Sequence, residues 1–183
     1  MAEKPLIAPQ TVDVVVVETV QASPDIWLLR LKPKDGKEFF DFVSGQFVMV
    51  SLVKDGKEIR RAFSIASSPL DRSTMELCVK RYDEGSLSPL LTSIPAGATL
   101  QVMGPYGKFL LDTETMDDYL FVAAGSGIAP IMGMIRTLAE LKKKNNITLI
   151  YGFRHPDDYV YGEELGAIQK KSPNITILPC LSI

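Results

Sequence analysis

Two cysteines, one histidine and one tryptophan among 183 residues leave little room for several common chemistries. Cys78 and Cys180 stand about a hundred residues apart, which excludes a four-cysteine iron–sulfur or zinc site within this chain. His155 has no ligand-spaced partner, so metal catalysis has no support and no metal ligands are expected. Long apolar runs are missing too. The longest, Tyr119 to Ile135, is broken by Gly125, Ser126, Gly127 and Pro130, short of the ~20 residues a membrane helix needs. Met1 to Pro9 lacks an apolar core of signal-peptide length, and a cytoplasmic location is the default expectation. A strong charge of either sign is absent: the net charge is −2, which argues against a general grip on nucleic acid. No polybasic stretch suits a membrane surface. Lys142-Lys143-Lys144 reads as the last turn of a helix, where cations favour the dipole. No repeat or low-complexity tract is visible.

What is present is an ordinary globular composition, 46% hydrophobic and 23% charged, in a chain long enough for one large or two small domains. The first 110 residues read as strands and turns. Val12 to Val20, Ile26 to Leu31, Phe47 to Val53, Ile59 to Ile65, Met75 to Tyr82 and Thr99 to Met103 are short β-branched or aromatic runs. Asp35-Gly36 and Asp55-Gly56 supply tight-turn pairs between them. Six strands with hairpin signals predict an antiparallel barrel or sandwich, interrupted by one short helix within Ser86 to Ser93. The period changes after Leu111. An acidic segment, 112–118, reads as a linker. Tyr119 to Ala124 is then fully apolar, as a buried parallel strand requires. A glycine turn, a helix through Ile131, Ile135, Leu138 and Leu141 that ends at Asn145-Asn146, and a strand from Ile147 to Tyr151 follow. A helix over Tyr159 to Lys170 and a strand over Ile175 to Leu178 complete a βαβαβ pattern.

Three segments carry the chemistry. In Arg61-Ala-Phe63-Ser64, strand alternation sends Arg61 and Phe63 to one face. A fixed guanidinium suits a phosphate, an aromatic face suits a flat ring, and a hydroxyl suits a ring nitrogen. That combination suggests a flavin nucleotide lying along a strand, although a strand followed by a turn at Pro69 reads the same way. The second segment is Leu77-Cys78-Val79-Lys80-Arg81 followed by Gly85-Ser86-Leu87-Ser88. A strand edge offers backbone groups to a planar heterocycle, and a glycine entering a helix offers free N–H groups to a pyrophosphate. A simple helix cap accounts equally well for the serines. The third is Gly125-Ser126-Gly127-Ile128-Ala129-Pro130 between a buried strand and a helix, where glycines let the backbone approach a phosphate. Pro130 suits the first helical turn. The last glycine of the full dinucleotide fingerprint is replaced, and a tight βα turn remains the alternative.

Taken in order, with Gly104-Pro105-Tyr106-Gly107-Lys108-Phe109 between the second and third, these motifs resemble the ferredoxin–NADP reductase family, from about Val12 to the last residue. The resemblance implies a six-stranded antiparallel β-barrel flavin domain over residues 6–111, the 112–118 linker, and a parallel α/β NAD(P)-binding domain over 119–183. It implies FAD as the cofactor, with FMN the lesser alternative. Arg61 would hold a flavin phosphate, Phe63 would stack on the isoalloxazine, and Ser64, the candidate catalytic residue, would approach its N5. Cys78, Val79 and Lys80 would line the flavin, and Gly85, Ser86, Leu87 and Ser88 would cradle the pyrophosphate. Gly125, Ser126, Gly127, Ile128 and Pro130 would bind a nicotinamide nucleotide.

Arg154, in Tyr151-Gly152-Phe153-Arg154, would meet a ribose 2′-phosphate. No acid ends that strand, which favours NADP(H) over NAD(H). The expected acceptor is a one-electron protein such as a ferredoxin, a flavodoxin or an oxygenase component. Departures from the family pattern are Phe63 for tyrosine, Ser126 for threonine and Ser44 for proline. The chain closes at Leu181-Ser182-Ile183, where the family's Ser-Arg pair would sit, with Ser182 present and the arginine not. An incomplete nucleotide domain is therefore expected. A flavin-binding electron-transfer or regulatory subunit without its own NAD(P)H turnover is the alternative reading.

Overall fold

The computed structural model describes residues 8–181. Ser182 and the first two residues of the expected flavin domain lie outside them. Six strands form the first sheet: β1 (Gln10–Gln21), β2 (Ile26–Pro33), β3 (Phe47–Lys54), β4 (Lys57–Ser64), β5 (Met75–Lys80) and β6 (Thr99–Tyr106). Their order is β4-β3-β6-β1-β2-β5, with every pairing antiparallel. A single bridge between Ile65 and Leu77 joins the two edges and closes the barrel. Alternate residues supply its interior: Val14 and Val16, Leu29 and Leu31, Val48 and Val50, Leu77 and Val79, Leu100 and Val102 are all buried. Register between β3 and β4 is set by the Asp55-Gly56 turn. Both of its residues have positive φ, 52° and 73°, the backbone that a two-residue hairpin demands.

The second sheet is parallel, in the order β7 (Tyr119–Ala124), β8 (Ile147–Phe153), β9 (Ile175–Leu181). Helices α2 (Ile128–Glu140) and α3 (Gly162–Lys171) bury Ile131, Ile135, Leu138 and Leu165 against Phe121, Leu149, Tyr151 and Ile177. The opposite sheet face is open. Leu120, Val122 and Leu178 are 66%, 68% and 45% exposed.

Several element ends differ from the sequence expectation. β5 stops at Lys80 rather than Tyr82 because its partner β2 begins at Ile26, opposite Lys80, and only the Arg81 N–H bond to the Asp25 carbonyl (2.8 Å) extends past that pair. The short helix, α1, is only Ser88–Thr92. α2 ends at Glu140, so Lys142, Lys143 and Lys144 are not its last turn. Lys142 takes a left-handed backbone (φ 52°) that stops the helix. The Asn145 side-chain amide donates instead to the Thr115 and Asp117 carbonyls, tying down the acidic connection. α3 starts at Gly162 rather than Tyr159, since Tyr161 is also left-handed (φ 65°).

The two sheets meet along α2. A Cβ at Gly133 would lie 3.1 Å from the carbonyl oxygens of both Ile65 and Ser67, so helix and barrel backbone approach directly. One turn later the Thr137 hydroxyl donates to the Gly133 carbonyl (2.8 Å) and shares a 2.7 Å hydrogen bond with Ser44. Ser68 donates to Glu140 (2.6 Å). The serine standing where the family pattern has proline thus fastens α2 to the barrel.

Candidate cofactor site

Two of the sequence motifs, 25 residues apart, converge at one corner of the barrel. The Arg61 guanidinium, at the exposed edge of β4, donates to the Ser86 hydroxyl (2.7 Å) and to the Arg60 carbonyl (2.7 Å). Among the described residues no carboxylate pairs with it. A guanidinium satisfied only by neutral oxygens keeps its charge available to an anion. The loop beside it needs its glycine. A Cβ at Gly85 would meet the Tyr82 carbonyl at 2.8 Å and the Ser88 hydroxyl at 2.9 Å.

Ser88 is committed differently from Ser86. Its hydroxyl accepts the Tyr82 N–H (3.0 Å), so it braces the loop. Leu87 is buried in the barrel core, which leaves only its backbone to face a ligand. The corner could therefore hold a phosphate: it offers one uncompensated cation, the Ser86 hydroxyl bound to that cation, and a loop held close to both.

Further along β4, Phe63 packs partly on the barrel cluster, and Ser64 at the strand end is half-buried opposite Phe47 of β3. On β5 the side chains separate by alternation. Val79 points into the barrel core, while Glu76, Cys78 and Lys80 point toward the α/β unit. Burial, with help from the charges of Glu76 and Asp25, pushes the Cys78 thiol up to about 12. It stays protonated at neutral pH and behaves as a small apolar residue. Cys180 is exposed. One thiol is expected to react with a disulfide reagent in the native protein and two after denaturation; two fast thiols in the native state would contradict this burial. Lys80 forms an ion pair with Asp25 (2.8 Å), which raises its pKa through the hydrogen bond and the nearby charge.

Lys80 opens onto a cleft of about 690 Å³ between barrel and α/β unit. Its barrel wall is Pro24, Asp25, Ile26, Lys80 and Tyr82. The opposite wall is Ala124, Gly125, Ser126, Gly152, Phe153, Arg154, His155 and Asp158. Gly125 takes φ +50°, and a Cβ at Gly125 or Gly127 would meet nothing within 4 Å, so the glycine turn faces open space. Tyr151, buried beneath it, donates to the Gly125 carbonyl (3.3 Å). Phe153 stacks on Tyr159 with ring centroids 4.8 Å apart. Arg154 is exposed and has no carboxylate partner among the described residues. Ile128 is fully buried and Pro130 half-buried at the start of α2, so these two shape the turn rather than line the cleft.

The structure thus makes two groups of the expected residues. Arg61 and Ser86 join at the barrel corner, while Lys80, Gly125, Ser126 and Arg154 line the interdomain cleft. The arginine–serine corner does not line that cleft.

One cluster escaped the sequence reading. Glu76, 5% exposed, accepts hydrogen bonds from Arg136 of α2 (2.9 Å), Arg30 of β2 (3.1 Å) and the Tyr161 hydroxyl (3.1 Å). Arg136 also donates to the Ala66 carbonyl (2.7 Å) and, as a two-pronged fork, to Glu164 of α3 (2.7 and 2.8 Å). It lies over the Tyr161 ring at 5.2 Å. Burial alone would push the Glu76 carboxyl up, but Arg136, Arg30 and Tyr161 together hold it below the usual carboxylate range. The one available signal was a single acid in the apolar run Met75 to Val79.

A closed antiparallel barrel thus meets a parallel βαβαβ unit across a glycine-walled cleft. The model of the oxidoreductase FAD-binding domain matches residues 13–110, and that of the oxidoreductase NAD-binding domain matches 121–182. The chain is 35% identical over 153 residues to ferredoxin–NADP reductase B of Sorangium cellulosum, covering 84% of this chain and 62% of that protein. It is 34% identical over 145 residues to the NADH oxidoreductase HCR of Escherichia coli, covering 79% of this chain and 44% of that protein.

The fold superposes on the Amycolatopsis cytochrome P450 reductase GcoB with a TM-score of 0.87 at 23% identity, over 99% of this chain and 55% of that one. For the Plasmodium falciparum ferredoxin–NADP⁺ reductase the TM-score is 0.80 at 22% identity, over 94% and 74%. The chain belongs to the ferredoxin–NADP reductase family of FAD-dependent oxidoreductases. It spans 62% and 44% of the lengths of the two curated relatives named above. No helix among the described residues is long and apolar enough to cross a membrane.

Proposed function

We propose that this chain holds FAD at the barrel corner, takes reducing equivalents from NADPH bound in the cleft, and passes electrons to a protein acceptor. The observation that carries the reading is the uncompensated Arg61 guanidinium hydrogen-bonded to Ser86. FAD, once bound, supplies the redox chemistry, accepting a hydride and releasing electrons one at a time; the protein supplies orientation and electrostatics. Arg61, Ser86 and the Gly85 loop grip the phosphates. Phe63 provides the stacking face, and the Ser64 hydroxyl meets the changing hydrogen-bond demand of the ring. Backbone groups of Cys78 and Val79 border the ring, and Lys80, paired with Asp25, keeps a cation at the cleft mouth.

In the cleft, the Gly125-Ser126-Gly127 turn lets a pyrophosphate approach backbone N–H groups. Arg154, exposed and unpaired among the described residues, supports a 2′-phosphate and hence NADP(H) over NAD(H). A soluble one-electron acceptor of the ferredoxin, flavodoxin or oxygenase-component kind is the partner this chemistry suits. Two of the relatives bear names of that kind, a ferredoxin–NADP reductase and a terephthalate 1,2-dioxygenase reductase component.

The test is anaerobic titration of the FAD-loaded protein with NADPH, followed by bleaching of the flavin absorbance. Arg61→Ala is expected to weaken FAD binding ~10–100-fold, the worth of a charge-assisted contact. Ser64→Ala is expected to keep FAD and slow its reduction about tenfold. Unchanged reduction in Ser64→Ala would remove Ser64 from the reaction. Bound FAD that NADPH leaves unbleached would favour the electron-transfer or regulatory subunit instead.

A further inference from the structure

The segment that follows Ser64, the strand that carries Cys78 and Lys80, and the helix that follows the Gly125–Pro130 turn meet at one point in the molecule, and that point is not in the cleft. Arg136 donates to the Ala66 carbonyl, two residues beyond Ser64. It donates to Glu76, two residues before Cys78 on the strand that carries Lys80. It sits two turns along α2 from the Gly125–Pro130 segment and grips α3 through Glu164. One planar guanidinium therefore ties β5 and the segment just after β4 to both helices of the nucleotide unit.

The surrounding groups confirm that the geometry is over-determined. Glu76 is held by Arg30, which also pairs with Glu18, and by Tyr161. Tyr161, whose hydroxyl donates to Glu76, holds a left-handed backbone (φ 65°), a conformation costing a non-glycine residue about 1–2 kcal/mol. Apolar burial would hold two units together without this arrangement but, being non-directional, would let them slide. A fork with four fixed acceptors does not, because each N–H has one favourable direction.

We propose that Arg136 and Glu76 form a positioning pair that sets the orientation of the Gly125–Pro130 turn relative to the Ser64 and Cys78 strands. The proposal rests on the function set out above for its chemical consequence, but the orientation itself is a property of the protein alone. Hydride transfer is steeply distance-dependent, and a misplacement of about 1 Å costs on the order of 100-fold.

The experiment places one spin label on Cys180, which is exposed while Cys78 is buried, and a second on Val53→Cys, at a 71% exposed position of β3. Inter-label distances are measured by pulsed electron paramagnetic resonance without cofactor or substrate. Arg136→Lys keeps the charge but loses the fork. It is expected to retain the circular dichroism of the parent and broaden the distance distribution. In the same variant loaded with FAD, reduction at saturating NADPH should slow ~10–100-fold, while the NADP⁺ dissociation constant changes less than about threefold.

Glu164→Gln, which weakens the fork from its half-exposed end, should broaden the distribution less and serves if Arg136→Lys does not fold. An unchanged, narrow distribution in a folded variant would overturn the proposal. A broadened distribution with unaltered reduction rate would overturn its chemical consequence. A parent protein that NADPH does not reduce would overturn the reductase reading, leaving the distance measurement to decide the positioning role independently.

Discussion

Arg136→Met is expected to lower stability by about 3–5 kcal/mol, the typical cost of breaking a buried ion pair from one side. The methionine nearly fills the space but leaves the 5% exposed Glu76 carboxylate without its main cation. For a chain of this size that corresponds to a fall in melting temperature of roughly 6–20 °C, readable by calorimetry. A drop of only a degree or two would mean that Arg30 and Tyr161 suffice to hold Glu76.

The same network fixes a pH dependence. The folded-state pKa of Glu76 lies below its ordinary value of 4.5, so the folded form prefers the ionised carboxyl. The resulting stabilisation is fully present above the ordinary value and is lost as pH falls through the lower, folded one. Stability should therefore decline below about pH 4.5 in the parent and decline less in Glu76→Gln, measured as urea midpoints across pH 3 to 6.

Gly45→Ala should be comparably damaging, for a different reason. Gly45 has φ +100°, and a Cβ there would sit 2.1 Å from the Phe109 carbonyl oxygen and 2.4 Å from the Met134 terminal methyl. The methionine can move; the backbone carbonyl cannot without disturbing the Leu111 N–H bond to Ser44 (3.0 Å). Backbone strain of about 1–2 kcal/mol and overpacking of about 1–3 kcal/mol add to a loss of about 2–5 kcal/mol. Gly36→Ala is the control. Its φ is +74°, but a Cβ there meets nothing within 4 Å, so only the backbone contribution should appear in its urea midpoint. Equal losses at the two positions would show that crowding at Gly45 is relieved elsewhere.

Much of this architecture is legible in the chain because it rests on local rules. Two-residue alternation marks the barrel strands. The Asp55-Gly56 pair marks the β3–β4 hairpin, and the switch to a continuous apolar run at Tyr119 marks the change to a parallel sheet. The element ends are less legible, because non-glycine residues at left-handed backbone positions set them. Nothing about Lys142 or Tyr161 as residue types announces such a conformation, and both moved a helix boundary.

At the site, the sequence marks Arg61 and the Gly85–Ser88 loop as candidates for holding an anion, while their mutual contact is a product of the fold. The Glu76–Arg136 pair was not readable. An acid in an alternating strand and an arginine on an amphipathic helix both look like solvent-facing residues. They are 60 positions apart, and only the docking of α2 onto β5 buries them together. Ser44 and Thr137 show the same limit from the other side: two small hydroxyl residues become a buried clasp only through that docking.

β5 also has a thermodynamic consequence. Its odd residues, Met75, Leu77 and Val79, belong to the barrel's apolar cluster, while Cys78 belongs to the cluster beneath the parallel sheet, together with Ile26 and Ala66 from the barrel. One six-residue strand is thus shared property of two hydrophobic cores. Loosening the core beneath the parallel sheet uncovers Cys78, Ile26 and Ala66 on the barrel, and loosening the barrel removes one wall of that core. The nucleotide unit thus borrows part of its apolar floor from the barrel, and that shared surface couples the unfolding of the two halves.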